Sequence, residues 1–156
     1  MGSDTGGKVQ IWGPGEGEQL VFRGGATVLR KVTSDQTGGR WAFGEGHNTP
    51  GFHNTPHTHT EPEAFYVLEG TYTFYTEGED REAGPGDLVF IPPHTRHGFV
   101  AGPNGGRLLC LWPAAFDGYF HEMIKVLEEG KASPEVMDEI AQRHGQRNLP
   151  FTGSPG

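Results

Sequence analysis

The stretch Gly51-Phe52-His53-Asn54-Thr55-Pro56-His57-Thr58-His59-Thr60-Glu61-Pro62-Glu63-Ala64-Phe65-Tyr66-Val67-Leu68-Glu69-Gly70 decides how this chain is read. His57 and His59 are two residues apart. On a β-strand, residues i and i+2 point to the same face, so both imidazoles can be presented to one point. Glu63 follows after Thr60-Glu61-Pro62 and opens an apolar run over 64–68. A carboxylate there completes a mixed nitrogen and oxygen donor set suited to one divalent transition metal: Ni, Fe, Mn, Co, Cu or Zn.

A second segment, Gly86-Asp87-Leu88-Val89-Phe90-Ile91-Pro92-Pro93-His94-Thr95-Arg96-His97, reads as a turn, a strand, a Pro-marked turn and a histidine opening the next strand. An adjacent antiparallel strand can return His97 to the first cluster as a fourth ligand. Around these segments, β-rich runs bounded by Gly, Pro, Asn or Asp lie at 9–12, 19–22, 26–33, 40–44, 64–69, 71–76, 88–91, 98–100 and 107–112. Short strands with no helix between them indicate an antiparallel sandwich or barrel. Glu69-Gly70-Thr71 reads as the turn of a hairpin, with Tyr72 and Phe74 on one face of its second strand.

Beyond Trp112-Pro113 the period changes. Phe116, Tyr119, Phe120, Met123, Ile124 and Leu127 recur at helical spacing, and Gly130 closes the run. A second amphipathic helix starts at Ser133, with Pro134 in its first turn, buries Val136, Met137 and Ile140, and ends before Gly145. Both helices are expected outside the barrel. The organisation expected is one domain over 9–145, with the barrel at about 9–112 and the helices at about 114–144. A flexible start at 1–8 and an extended Pro/Gly-rich tail at 146–156 flank it.

Composition narrows the function classes. The chain has 156 residues, the length of an ordinary single domain, and its 26 glycines and 12 prolines are scattered between apolar runs as in a turn-rich β protein. Net charge is −8 and no run of basic residues offers a phosphate-neutralising surface, so nucleic acid is not expected as a partner. No apolar run approaches the roughly 20 residues of a membrane span, and no signal-peptide core is evident, so a cytoplasmic protein without membrane contact is expected. Cys110, the single cysteine, lies in Leu108-Leu109-Cys110-Leu111-Trp112 and reads as a packing position in a buried strand.

Taken together, the two histidine segments resemble the two signature motifs of the cupin superfamily. The first, G-x5-H-x-H-x3-E-x6-G, is matched in full by Gly51, His57, His59, Glu63 and Gly70. The second, G-x5-P-x-G-x2-H-x3-N, is matched by Gly86, Pro92 and His97, with His94 standing where the motif has Gly and Ala101 where it has Asn. These departures fall at no ligand position and put the local turn in question. The resemblance implies an all-β fold, an antiparallel jelly-roll barrel with two C-terminal helices, and a metal held by His57, His59, Glu63 and His97. Glu61 does not fit the motif spacing and is read as solvent-facing.

The segment 64–70, with Pro113-Ala114-Ala115-Phe116-Asp117-Gly118-Tyr119-Phe120 and the two closing helices, further resembles single-domain cupins related to bacterial quercetin 2,3-dioxygenases. That resemblance implies a metal-dependent dioxygenase that opens a ring of a flavonol-like or polyphenolic substrate with O2. Glu63 would serve both as a ligand and as the catalytic base for the substrate hydroxyl. Cupins of this kind pair as homodimers, which would also protect strand edges here.

Two other readings belong beside it: a non-redox polyketide cyclase or isomerase using the same metal, and a non-catalytic small-molecule binding cupin. An isolated His-x-His is ordinarily solvated surface; here Glu63, His97 and the flanking glycines argue for ligation. His47, His53 and His94 lack such support and read as surface residues or neighbours of the ligands. His53, Phe65, Phe74, Phe99 and Trp112 are the residues expected to line a substrate pocket, plain core being the alternative for the aromatic ones.

Overall fold

Strand β5, Glu63–Thr76, buries Glu63, Phe65 and Val67 on alternate positions, then Tyr72 and Phe74 on the same alternation after an offset. The computed structural model describes residues 7–22 and 24–150, so the termini at 1–6 and 151–156, part of the expected flexible start and tail, lie outside the described residues. Along the chain run β1 (Glu18–Phe22), β2 (Ala26–Val32), a 3-10 turn (Asp35–Thr37), β3 (Trp41–Asn48), β4 (His57–His59), β5, β6 (Asp80–Ala83), β7 (Leu88–Ile91), β8 (His97–Pro113), α1 (Ala114–Glu128), α2 (Pro134–Arg143) and β9 (Gln146–Asn148).

All the strand pairings are antiparallel. The order is β1-β2-β3-β8-β4-β9, with β5 joined to β8 and carrying β6 and β7. This is the antiparallel jelly-roll expected from the motifs, followed by two helices. The 17-residue β8 is its hub, because it pairs with β3, β4 and β5. Phe65, Val67, Tyr72, Phe74, Leu108 and Trp112 pack between the strands with Phe116 of α1.

The hairpin expected at Gly70 does not form. β5 runs straight on through it as a 14-residue strand, with register shifts between Val67 and Glu69 and between Gly70 and Tyr72. Gly70 has φ +75°, and a Cβ there would come within 2.1 Å of the Gly105 carbonyl oxygen. The glycine therefore marks a bend where two paired backbones press together, rather than a chain reversal. The same holds for β8, which spans the two strands expected at 98–100 and 107–112. The reversal after β5 comes later, at Glu77-Gly78-Glu79, and leads into β6, which polar Asp80-Arg81-Glu82 did not announce.

Two further expectations change. Residues 9–12 form no strand, and Val9 and Ile11 are exposed. The tail, in contrast, begins with β9, which pairs with β4 in the register His57↔Asn148, Thr58↔Arg147 and His59↔Gln146. A Gln-Arg-Asn strand has no apolar alternation to betray it; its ladder partner is what makes it a strand.

The helices follow their sequence signals. Ser133 caps α2 by accepting the Val136 N–H at 3.2 Å, with Pro134 at the first position. α1 has no side-chain cap, and is instead tied down through Asp117 in its first turn. That buried carboxylate accepts the Ser34 N–H at 2.6 Å and the Trp112 indole N–H at 3.0 Å, and pairs with Arg30 at 3.2 Å. One side chain thus binds α1 to β2, β8 and the turn after β2.

Candidate metal centre

His57 and His97 face each other across the β4–β8 pair, and His59 follows His57 on the same face of β4. Glu63 opens β5, beside β7. All four side chains are buried, and their donor atoms lie within 4.8 Å of one another. His59 Nε2 stands 3.2 Å from His97 Nε2, and Glu63 Oε2 is 3.2 Å from the first and 3.3 Å from the second.

Backbone carbonyls orient each ring. Nδ1 of His57 donates to Thr55 O at 2.8 Å, Nδ1 of His59 to Glu61 O at 2.5 Å, and Nδ1 of His97 to Thr95 O at 2.8 Å. With the Nδ1 protons so placed, the neutral rings turn Nε2 lone pairs toward one point. Two lone pairs 3.2 Å apart repel unless a cation stands between them. The donor set therefore fits a divalent transition metal: three imidazole nitrogens and one carboxylate, with every imidazole held from behind.

The electrostatics agree. Burial alone would raise the Glu63 pKa, but hydrogen bonds to His59 and His97 and the charges around it hold it down at about 2. Burial, reinforced by nearby His97, lowers His57 from 6.5 to about 4. The cluster thus keeps an ionised carboxylate against imidazoles of which His57 resists protonation. A bound dication would balance that buried carboxylate.

Beside the donors lies a cavity of about 380 Å³. Its wall includes His57, Glu63, Phe65, Phe99, Cys110 and Trp112 from the strands, and the inner faces of both helices complete it. The helices lie outside the strands, as expected, yet Phe116 reaches in to set its ring edge-to-face on His59, with centroids 4.8 Å apart.

Four of the five expected pocket residues, His53, Phe65, Phe99 and Trp112, line this cavity. Phe74 does not: it is buried in the core, enclosed by Phe65, Tyr72 and Phe99 at centroid distances of 5.5, 6.4 and 5.7 Å. The bend at Gly70 separates it from the donor end of β5. His47 is a surface residue paired with Glu45 at 3.0 Å. Glu61 is exposed and contributes its carbonyl, not its carboxylate.

Two residues depart from their sequence reading. His94 keeps the turn of the second motif by adopting φ 61°, alone among the described non-glycine residues in a positive φ. Cys110 is more than packing: its thiol donates to Glu63 Oε1 at 3.4 Å and faces the cavity. Burial first, and then the Glu63 charge, raise its pKa and keep it protonated. Sequence reasoning also missed Gln146 and Asn148, which enter the cavity wall from β9; only their pairing with the ligand strand reveals them.

The comparisons with known proteins agree with this geometry. Residues 45–112 match the family model described as Cupin domain. A 62-residue stretch is 31% identical to quercetin 2,3-dioxygenase of Bacillus subtilis (strain 168), covering 39% of this chain and only 18% of that protein. Among solved structures, the polyketide cyclase RemF from Streptomyces resistomycificus superposes with a TM-score of 0.61 at 27% identity, over 69% of this chain and 80% of that one. An RmlC-like cupin from Shewanella frigidimarina NCIMB 400 shares the fold with a TM-score of 0.58 at 23% identity, over 68% of this chain and 92% of that one. With both signature motifs, the jelly-roll and the buried donor cluster in place, residues 45–112 of the chain are a cupin domain.

Proposed function

We propose that the protein is a metal-dependent dioxygenase that opens a ring of a flavonol-like or polyphenolic substrate with O2. The observation that carries this reading is the position of Glu63. Its Oε2 is turned toward His59 and His97, its Oε1 toward Cys110, and the residue itself forms part of an aromatic-rich cavity wall. A bound divalent ion would supply an electrophilic centre that makes a substrate hydroxyl more acidic and its ring more electron-rich. His57, His59 and His97 hold their Nε2 atoms in place through the carbonyls behind them. Glu63, ionised at neutral pH, accepts the hydroxyl proton. Phe65, Phe99, Phe116 and Trp112 exclude water and favour a flat aromatic ligand. The likeness of a 62-residue stretch to the Bacillus dioxygenase supports this reading.

A second reading, a non-redox cyclase acting on a polyketide, is favoured by the greater extent of the likeness to RemF, over 80% of that chain. One experiment separates the two. Metal-replete protein is given quercetin in an oxygen-electrode cell, and a linear aromatic polyketide under nitrogen. Metal-dependent oxygen uptake that disappears in Glu63→Gln is the expected result. Turnover of the polyketide without oxygen, and no uptake with quercetin, overturns it in favour of the cyclase.

We also propose that the chain works as a homodimer. Leu88 and Phe90 of β7, Tyr66 of β5, and Leu111 of β8 are large, exposed and apolar. The registers Leu88↔Tyr66, Phe90↔Ala64 and Ala64↔Leu111 place them side by side on the outer sheet face, a patch suited to a second copy of the same surface.

A further inference from the structure

The cavity is apolar near the donors, but one corner is polar. Gln146 lies directly opposite His59 in the β9–β4 pair, so both side chains project to the same face of the sheet. Its side chain is buried and borders the cavity together with Tyr119 of α1. Tyr119 is one helical turn from Phe116, the residue whose ring stands against His59.

A chain of hydrogen bonds sets which atoms this corner offers. The Asp138 carboxylate can only accept, so Asn148 turns its amide N–H2 to it, at 2.9 Å. Asn148 is left presenting its carbonyl oxygen to Gln146, whose Nε2 donates to it at 2.9 Å. The same Nε2 reaches the Tyr119 hydroxyl oxygen at 3.5 Å. Two groups are left over: among the described residues, Gln146 Oε1 accepts no hydrogen bond and the Tyr119 O–H donates none. Both residues line the cavity, so a ligand that displaces water from this donor and acceptor without pairing them pays for it. Burial also raises the Tyr119 pKa, so its hydroxyl stays a donor.

We infer that Gln146 and Tyr119 form a subsite that recognises a phenolic hydroxyl of the ligand, remote from the hydroxyl directed at the metal. A phenol is the matching partner, since its oxygen accepts from Tyr119 while its O–H donates to Gln146 Oε1. A ring that has no such hydroxyl leaves both protein groups unpaired, and discrimination follows from that penalty. This inference rests on the polyphenol reading of the cavity, and it assigns specificity to residues outside the two motifs.

The test is a binding titration of metal-replete protein under nitrogen, so that no turnover intervenes, with quercetin and with 3-hydroxyflavone. Both probes carry the hydroxyl and carbonyl pair that would face the metal; only quercetin has further hydroxyls. In the wild type, quercetin should bind more tightly. Tyr119→Phe, which keeps the ring packed on Phe116, and Gln146→Met should each weaken quercetin by about threefold to tenfold and leave 3-hydroxyflavone unchanged. Equal weakening of both probes, or of neither, overturns the subsite while the functional reading stands. If neither probe binds the wild type, the polyphenol reading falls and the subsite falls with it.

Discussion

Cys110 Sγ lies 3.4 Å from Glu63 Oε1, on the side of the carboxylate turned away from the imidazoles. Phe65 and Cys110 are cross-strand partners, and Glu63 sits two residues along β5 on the same face as Phe65, so sheet register alone brings the thiol to the carboxylate. One oxygen of Glu63 is thus engaged by the histidines and the other is steadied by a neutral donor.

Replacing this thiol tests its hold on the carboxylate. In Cys110→Ala the three imidazoles are untouched, so metal stoichiometry should be retained while turnover falls severalfold, because Glu63 loses its fixed orientation. Metal analysis paired with steady-state kinetics checks both halves. In the unmodified protein, the buried, protonated thiol should react with a disulfide reagent only after denaturation.

Acid should destabilise the metal-free protein. His57 has a folded-state pKa of about 4 against an ordinary 6.5, so the unfolded chain binds a proton that the folded one refuses, and stability is lost as pH falls across that interval. Glu63, at about 2 against 4.5, acts in the same direction: its contribution is full above 4.5 and is lost as pH falls through about 2. Melting temperatures of the chelated protein should therefore hold level from pH 8 to about 6.5 and decline from there to pH 4. A bound metal should raise the melting temperature at neutral pH and be released on acidification, as protons compete for the imidazoles.

His94 offers a stabilising substitution. Its φ of 61° suits glycine, and its side chain is exposed, so His94→Gly should gain about 1 kcal/mol by removing the left-handed strain. Denaturant unfolding measures this; a loss of stability would mean that the side chain makes a contribution larger than the strain.

Asp117 predicts the opposite. Asp117→Ala strands the Trp112 indole N–H and the Ser34 N–H, leaves Arg30 to Glu18 alone, and should cost about 3 kcal/mol. Because this carboxylate anchors α1, Phe116 should lose its place over His59, and ligand affinity should fall along with the melting temperature.

The outer sheet face predicts the assembly state. Leu88→Lys combined with Phe90→Lys should leave the fold intact, since both side chains point to solvent in the chain alone, and should turn a dimer into a monomer in light scattering. A wild type that is already monomeric at high concentration would remove this face from consideration.

The buried donor cluster was legible because metal ligation would need particular residue types at particular spacings, and His57, His59, Glu63 and His97 carry both in the chain itself. The helices were legible for a similar reason: period, cap and first-turn proline are local signals. What lay beyond the sequence was decided by pairing over long distances. Gly70 looks like a turn until Gly105 is found pressed against it, and Phe74 looks like a pocket residue until the bend at Gly70 carries it into the core.

Cys110 and Gln146 show the same limit at the site. Each is unremarkable in its own neighbourhood, and each gains its setting from a strand register, Cys110 opposite Phe65 and Gln146 opposite His59. By itself the sequence determined which atoms can gather round a metal and that they do so on a jelly-roll. Only the tertiary structure decided which oxygen of Glu63 meets a thiol and which polar groups close the cavity, because hydrogen-bond partners across a sheet are set by register rather than by proximity along the chain.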